Sequence, residues 1–167
     1  MYMKELNKME NIPITIQLQK KEYSELTEQE RLLVDCAKEA TYRSYSPYSH
    51  FCVGASLMLD DGTIIKGCNQ ENSSYPQGLC AERTALFAAG AAYPDKKVIA
   101  LCIAARGTDG EFTKRPIAPC GGCRQVMSET EDRYHTHMKV LLYGTEGTYI
   151  VNSAKDLLPV FFDASYM

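Results

Sequence analysis

A chain of 167 residues has the size of one domain with room for a sizeable core. Its formal charge of -3 and pI near 5.6 speak against a basic surface that gathers phosphates, so nucleic acid and anionic membrane are poor partners and a small molecule is the better one. Met1-Tyr2-Met3-Lys4-Glu5-Leu6 mixes charge with apolar groups and opens no run of signal-peptide length, and no later run is long enough to span a bilayer, so a cytoplasmic protein is expected.

Residues 1–25 are read as an N-terminal arm. Within it, Ile12-Pro13-Ile14-Thr15-Ile16-Gln17-Leu18 alternates with period two like a half-buried strand, and Pro13 would confine such a strand to a sheet edge. Residues 26–167 are read as the catalytic domain. Thr27-Glu28-Gln29-Glu30 has the form of a capping box, and Leu32, Leu33, Cys36, Ala37 and Ala40 follow at helical spacing. The helix ends before the turn-rich Ser44-Tyr45-Ser46-Pro47-Tyr48-Ser49, because a residue ahead of proline is pushed out of helical geometry. Residues 51–59 and 63–69 form a hairpin about Asp60-Asp61-Gly62, followed by a long polar loop over 70–79. A helix over 81–92 closes at Tyr93-Pro94, and the unbroken apolar run 98–105 reads as a central strand covered on both faces. Residues 121–131 form a further helix. Two short strands over 140–143 and 149–151 are joined by a link too short for a parallel crossover and should be antiparallel. A helical turn over 153–158 precedes an aromatic tail. The order gives an α/β fold: a three-layer α/β/α sandwich whose mixed sheet has five strands.

The chain has seven cysteines, an odd number that suits a metal better than a disulfide framework. Cys36, Cys52, Cys68 and Cys102 lie among apolar neighbours and read as small buried hydrophobes. Cys80-Ala81-Glu82-Arg83 and Pro119-Cys120-Gly121-Gly122-Cys123 are different: each sits where loop gives way to helix, so its thiols meet unpaired backbone N–H groups and the positive end of a helix dipole. Cys80, Cys120 and Cys123 supply three soft ligands for one zinc, a set that leaves a catalytic position open. Glu82, two residues past Cys80, is placed to move protons, and Arg83 can offer N–H donors to the sulfurs. The inventory suits hydrolytic attack on an electron-poor carbon, such as loss of ammonia from an aminopyrimidine.

Gly67-Cys68-Asn69-Gln70-Glu71-Asn72, Tyr75-Pro76, Cys80-Ala81-Glu82-Arg83-Thr84-Ala85, Pro119-Cys120-Gly121-Gly122-Cys123-Arg124-Gln125-Val126 and Leu157-Leu158-Pro159 occur in an order and spacing, over roughly 27–162, that resembles the small homotetrameric zinc-dependent cytidine deaminases. The Cys₃ zinc site with a non-ligand Glu is an established deaminase arrangement. The resemblance implies one Zn²⁺ per chain on Cys80, Cys120 and Cys123, with Glu82 carrying protons to N3 and to the departing amine. It implies that Asn69 and Glu71 hold the ribose 3′-hydroxyl and that Phe51 packs on the pyrimidine. Ser73 and Tyr75 would reach a neighbouring subunit's ligand near its 5′-hydroxyl, and Phe162 would enter a neighbour's site, as expected of a homotetramer with shared active sites. The implied reaction converts free cytidine and 2′-deoxycytidine to uridine and 2′-deoxyuridine in pyrimidine salvage. Ser73 stands where alanine is usual, and the arm before about residue 25 is longer than the family requires.

Glu71 can only accept hydrogen bonds, which suits a free sugar hydroxyl and repels a phosphate. Other readings stay open at this level. A structural zinc could be closed by His50, His135 or His137, which leaves Glu82 and Arg83 without work. Glu82 could be an ordinary N-terminal helix acid, Asn69 and Glu71 ordinary loop polars, Phe51 a core residue and Phe162 a locally packed one. Another aminopyrimidine, such as the antibiotic blasticidin S, is an alternative substrate. Polynucleotide editing is disfavoured by charge, by Glu71 and by an antiparallel last hairpin where nucleic-acid deaminases resemble one another in a parallel last strand. A zinc module that binds without catalysis is the remaining alternative.

Overall fold

The structure, a computed structural model, describes residues 10–167. The expectation drawn from residues 1–6 lies outside them. Strands β1 (Gln19–Lys21), β2 (Phe51–Leu59), β3 (Ile64–Cys68), β4 (Val98–Gly107), β5 (Lys139–Leu142) and β6 (Thr148–Val151) make one sheet in the order β1-β6-β5-β4-β2-β3. Only β4 and β5 pair in parallel, and the β5–β6 hairpin is antiparallel as its short link requires. The three-layer sandwich is present with six strands in place of the expected five.

Helix α1 (Glu28–Ala40) covers one face, and α2 (Ala81–Ala92) and α3 (Gly121–Tyr134) cover the other. The division follows from side-chain alternation in the central strand: Ala100, Cys102 and Ala104 of β4 pack with Leu33, Val34 and Ala37 of α1, whereas Leu101 and Ile103 pack with Ala85, Leu86 and Met127. Because both faces are covered, β4 is apolar from Val98 to Ala105, which is why that run shows no alternation. Small residues let α1 lie close to the sheet. A Cβ at Gly54 would fall 2.1 Å from the Ala37 carbonyl oxygen and 2.6 Å from the Thr41 nitrogen.

The sixth strand is a correction. The alternating run 12–18 forms no strand: Ile12, Ile14, Ile16 and Leu18 are all exposed, and the chain joins the sheet only at Gln19–Lys21, against β6. The reason is electrostatic. Lys21 Nζ lies 3.4 Å and Lys139 Nζ 3.1 Å from the carboxylate of Glu30, itself buried, so one carboxylate ties the edge strand to α1 and β5. Lysines also suit an edge strand, which must resist pairing with foreign chains. Two smaller corrections concern helix length and cysteine burial. Helix α3 runs three residues past the expected end at 131 and stops where His135 turns left-handed at φ 48°, and Cys36 and Cys68 are only half-buried.

Glu30 also completes the cap of α1: the Thr27 hydroxyl accepts the Glu30 N–H at 3.2 Å while the carboxylate accepts the Thr27 N–H at 3.0 Å. Burial pushes the Glu30 pKa up, but the Thr27 N–H and the two ammonium groups outweigh it and leave the pKa below its ordinary value. A lowered folded-state pKa contributes stability above the unfolded value of about 4.3 and loses it as pH falls through the folded value. Glu30→Gln is therefore expected to cost about 1.5–3 kcal/mol at pH 7. The gap between the two proteins should narrow below about pH 4, as read from urea midpoints at pH 7 and in acid.

Candidate metal centre and adjoining pocket

Both cysteine stretches cap helices. Cys80 is the N-cap of α2, with extended backbone at φ -71°, ψ 155°, and its carbonyl accepts both the N–H and the hydroxyl of Thr84 at 3.1 Å. Cys120 is the N-cap of α3 at φ -67°, ψ 166°, and its Sγ accepts the Cys123 N–H at 3.4 Å. The loop before α2 is clasped where Gln70 and Leu79 exchange two backbone hydrogen bonds of 2.9 Å. Close packing then fixes α2 on β3, since a Cβ at Gly67 would lie 2.5 Å from the Ala85 nitrogen and 2.6 Å from the Ala81 carbonyl oxygen.

The two helix starts converge. The Sγ atoms of Cys80, Cys120 and Cys123 lie within 4.8 Å of one another, and Cys80 and Cys120 are 3.7 Å apart. Thiolates on a tetrahedral zinc with bonds of about 2.3 Å stand roughly 3.8 Å apart, so the donor set and its spacing fit that ion. Arg83 Nη2 donates to Cys80 Sγ at 3.8 Å. Hydrogen bonding with Cys123, then with Arg83 and Cys120, pulls the Cys80 thiol down to about 5. Cys123 moves the other way, because the proton it shares with Cys80 stays on it and because it is buried. Cys80, drawn toward thiolate, offers the form of the ligand that a soft cation binds.

Glu82 is 4 % exposed beside these thiols. Burial raises its pKa, and the negative charge of Cys80 adds to the push. Among the described residues, no histidine joins the cluster. His135 caps the far end of α3, about 21 Å of helix away from Cys120, and His137 lies 3.9 Å from Glu131.

The loops on either side of β2 and β3 form a polar clasp. Asn69 Oδ1 accepts the Val53 N–H at 2.8 Å and the Ser44 hydroxyl at 2.5 Å, while Nδ2 donates to the Phe51 carbonyl at 3.0 Å, so one amide hydrogen remains for a ligand. Glu71 accepts the N–H groups of Tyr48 and Ser49 at 2.9 and 3.2 Å and also the Ser49 hydroxyl. The Ser49 hydroxyl leads the interactions that hold its carboxyl below the usual range. A cavity of about 400 Å³ opens here, lined by Tyr48, Ser49, Glu71, Asn72, Tyr75 and Gly78, with the rings of Tyr48 and Tyr75 edge to face at 5.7 Å. The three thiols are not among its walls, and Cys80 follows Gly78 by two residues.

The expected site residues thus fall into three groups. Cys80, Cys120, Cys123, Glu82 and Arg83 come together, and Glu71 and Tyr75 share the cavity, with Asn69 and the half-buried Phe51 braced at its margin by the clasp. Ser73 and Phe162 lie outside the cavity walls. Ser73 is exposed, and Phe162 stacks on Tyr166 at 5.7 Å. The sequence places Ser44, Tyr48 and Ser49 in a turn without marking that they hold Asn69 and Glu71. The available signal was the density of serines around Pro47, hydroxyls suited to satisfying loop acceptors.

Three thiols gathered at two helix N-termini beside a buried carboxyl have the make-up of the Cys₃ zinc deaminase class. Residues 27–138 match the family model described as the cytidine and deoxycytidylate deaminase zinc-binding region, and the chain belongs to that family of hydrolases. The cytidine deaminase of Halalkalibacterium halodurans is 41% identical over 139 residues, covering 82% of this chain and 96% of that one. That of Sporosarcina psychrophila is 40% identical over 140 residues, covering 82% and 95%. The crystal structure of cytidine deaminase from Burkholderia pseudomallei superposes with a TM-score of 0.68 at 42% identity, covering 82% of this chain and all of the other. Among the described residues, no helix is long and apolar enough to cross a membrane.

Because Gly67 lets β3 touch the first turn of α2, Gly67→Ala must displace the turn that presents Cys80 and Glu82. Overpacking of this kind costs about 1–3 kcal/mol. The variant should melt earlier and retain less zinc per chain by elemental analysis after dialysis.

Proposed function

We propose that this chain hydrolyses the 4-amino group of free cytidine and 2′-deoxycytidine, giving uridine or 2′-deoxyuridine and ammonia, and that it does so in cytoplasmic pyrimidine salvage as a homotetramer. The observation that carries the reading is the buried Glu82 beside the Cys80, Cys120 and Cys123 thiols. It is supported by the 41% and 40% identical relatives named cytidine deaminase.

Cys80, Cys120 and Cys123 would hold the zinc. When bound, the ion supplies Lewis acidity that makes water nucleophilic at neutral pH. Arg83 offsets part of the negative charge that three thiolates bring. Glu82, its proton affinity raised by burial, takes the water proton, delivers it to N3 of the pyrimidine as the C4–O bond forms, and passes the second to N4 as the C4–N4 bond breaks. Phe51 packs on the ring. The free hydrogen of Asn69 Nδ2 and the ionised Glu71 take the 3′-hydroxyl from its two sides, as acceptor and donor demand. A phosphate there would face the Glu71 charge, which favours a nucleoside over a polynucleotide, and a cavity of about 400 Å³ suits a ligand of that size.

Tetramer formation draws support from apolar groups left uncovered in the single chain: Phe87 on α2 is 51% exposed, Tyr75 74% and Phe162 57%. In the assembly Phe162, with Ser73 and Tyr75, completes a neighbour's site.

Glu82→Gln is expected to keep its zinc and lose about 10²- to 10⁴-fold in kcat, followed by the fall in ultraviolet absorbance of cytidine. Normal turnover by that variant would sink the reading. Glu71→Gln removes a charged acceptor worth about 1.5–3 kcal/mol, so kcat/KM for both nucleosides should fall about 10- to 100-fold, chiefly through KM.

A further inference from the structure

Arg124 and Gln125 follow the last cysteine directly and face the C-terminal segment. Arg124 Nε donates to the Pro119 carbonyl at 2.9 Å and Nη1 donates to the Leu157 carbonyl at 2.7 Å. Gln125 Nε2 donates to the Phe162 carbonyl at 2.7 Å. Two neighbouring side chains therefore grip both ends of the segment from Leu157 to Phe162, and one of them also grips the peptide immediately before Cys120.

We propose that Arg124 is a positioning residue that locks the cysteine turn Pro119-Cys120 to the C-terminal segment at Leu157, so that one guanidinium sets metal retention and the start of the segment whose far end, at Phe162, Gln125 holds. The carbonyl of Pro119 belongs to the peptide that leads into the N-cap of α3, and fixing its orientation fixes the direction in which the Cys120 thiol leaves the backbone. A planar fork reaches the two carbonyls from separate nitrogens held in a fixed relation, whereas a lysine ammonium has its donors on one nitrogen at the end of a flexible stem. Along the tail, Leu157 packs against the core and Lys155 Nζ lies 5.1 Å from the centroid of the Phe161 ring. Val160 is 85% exposed, Met167 is 90% exposed, and Phe162 touches Tyr166 of the same tail. Beyond Leu157 the segment has little apolar cover, and the helix that carries Cys123 ties both of its ends.

The inference rests on the proposed function only in assigning Phe162 to a neighbour's site, so its test reads two quantities that need no substrate. The first is the rate at which a chromogenic chelator strips zinc from the loaded protein, and the second is the rate of chymotryptic cleavage of the C-terminal segment. Arg124→Lys and Arg124→Gln should release zinc about tenfold faster, as loss of a residue that orients a ligand does, and both should speed tail cleavage. Gln125→Ala, which cuts only the outer tie, should speed tail cleavage and leave zinc release unchanged. In turnover it should raise KM more than it lowers kcat. A merely structural arginine would lower the melting temperature while leaving zinc release from the folded protein at the parent rate, and that result overturns the proposal. So does a Gln125→Ala tail that resists chymotrypsin as the parent does. If Arg124→Gln fails to fold, Arg124→Lys and Gln125→Ala decide the question. Absence of cytidine turnover in the parent would overturn the assigned function and leave both readouts intact.

Discussion

Holding three thiols within reach of one centre is the constraint on which the rest depends. Sulfurs that close cannot all ionise without compensation: Cys80 is driven toward thiolate while Cys123 keeps the proton they share. Three features ease the conflict. Two helices present their N-termini to the same point, the Cys123 N–H donates to Cys120, and Arg83 donates to Cys80. Both helices lie on one face of the sheet, and the covered central strand β4 and the close approach at Gly67 hold them there. The scaffold is thus arranged around a local concentration of negative charge.

The second concentration of polar groups is assembled by a different route. Asn69 and Glu71 do not project from a regular element. They are held by hydroxyls and N–H groups of residues 44–53, across a strand pair that brings the two loops side by side. Each carboxylate or amide bond made within the protein reduces the freedom that a ligand would otherwise have to remove, which is what preorganisation means for affinity. Engagement also limits what each group can still do. Asn69 retains one amide hydrogen, whereas an ionised carboxylate has acceptor positions beyond the three it uses, so Glu71 is the freer partner for a hydroxyl.

What the sequence disclosed divides along the same line. Helices α1 and α2, strand β2 and the cysteine turns were legible because their determinants are local: the Thr27 and Glu30 capping box, the turn at Asp60-Asp61-Gly62, and ligand chemistry that tolerates few substitutes. Strand β1 was not legible at its place. Alternation over 12–18 reports a two-faced segment but says nothing about which strand it meets, and the pairing at Gln19–Lys21 depends on Glu30 and Lys139, far along the chain. The clasp around Glu71 escaped notice for a related reason: two of its donors are backbone N–H groups, which every residue but proline carries and no side-chain pattern marks. The extra turn of α3 likewise turned on the backbone, since His135 ends the helix in a conformation usually left to glycine or asparagine.

Glu71 and Glu82 stand eleven positions apart in sequence (82 − 71), and their surroundings push them in opposite directions. Glu71 is solvated and takes three hydrogen bonds, so it stays ionised and can only accept. Glu82 is shut away from water next to a thiolate, so its proton is held more tightly. A zinc ion would not cancel that push, because a dication bound by three thiolates leaves a formal charge of about -1 beside the carboxylate. Two carboxylates with separated proton affinities are the usual mark of divided labour, one fixing a ligand and the other exchanging protons with it. Here the division comes from surroundings: hydrogen bonds on a loop rim and burial beside a thiolate in a helix's first turn give the same functional group two chemistries.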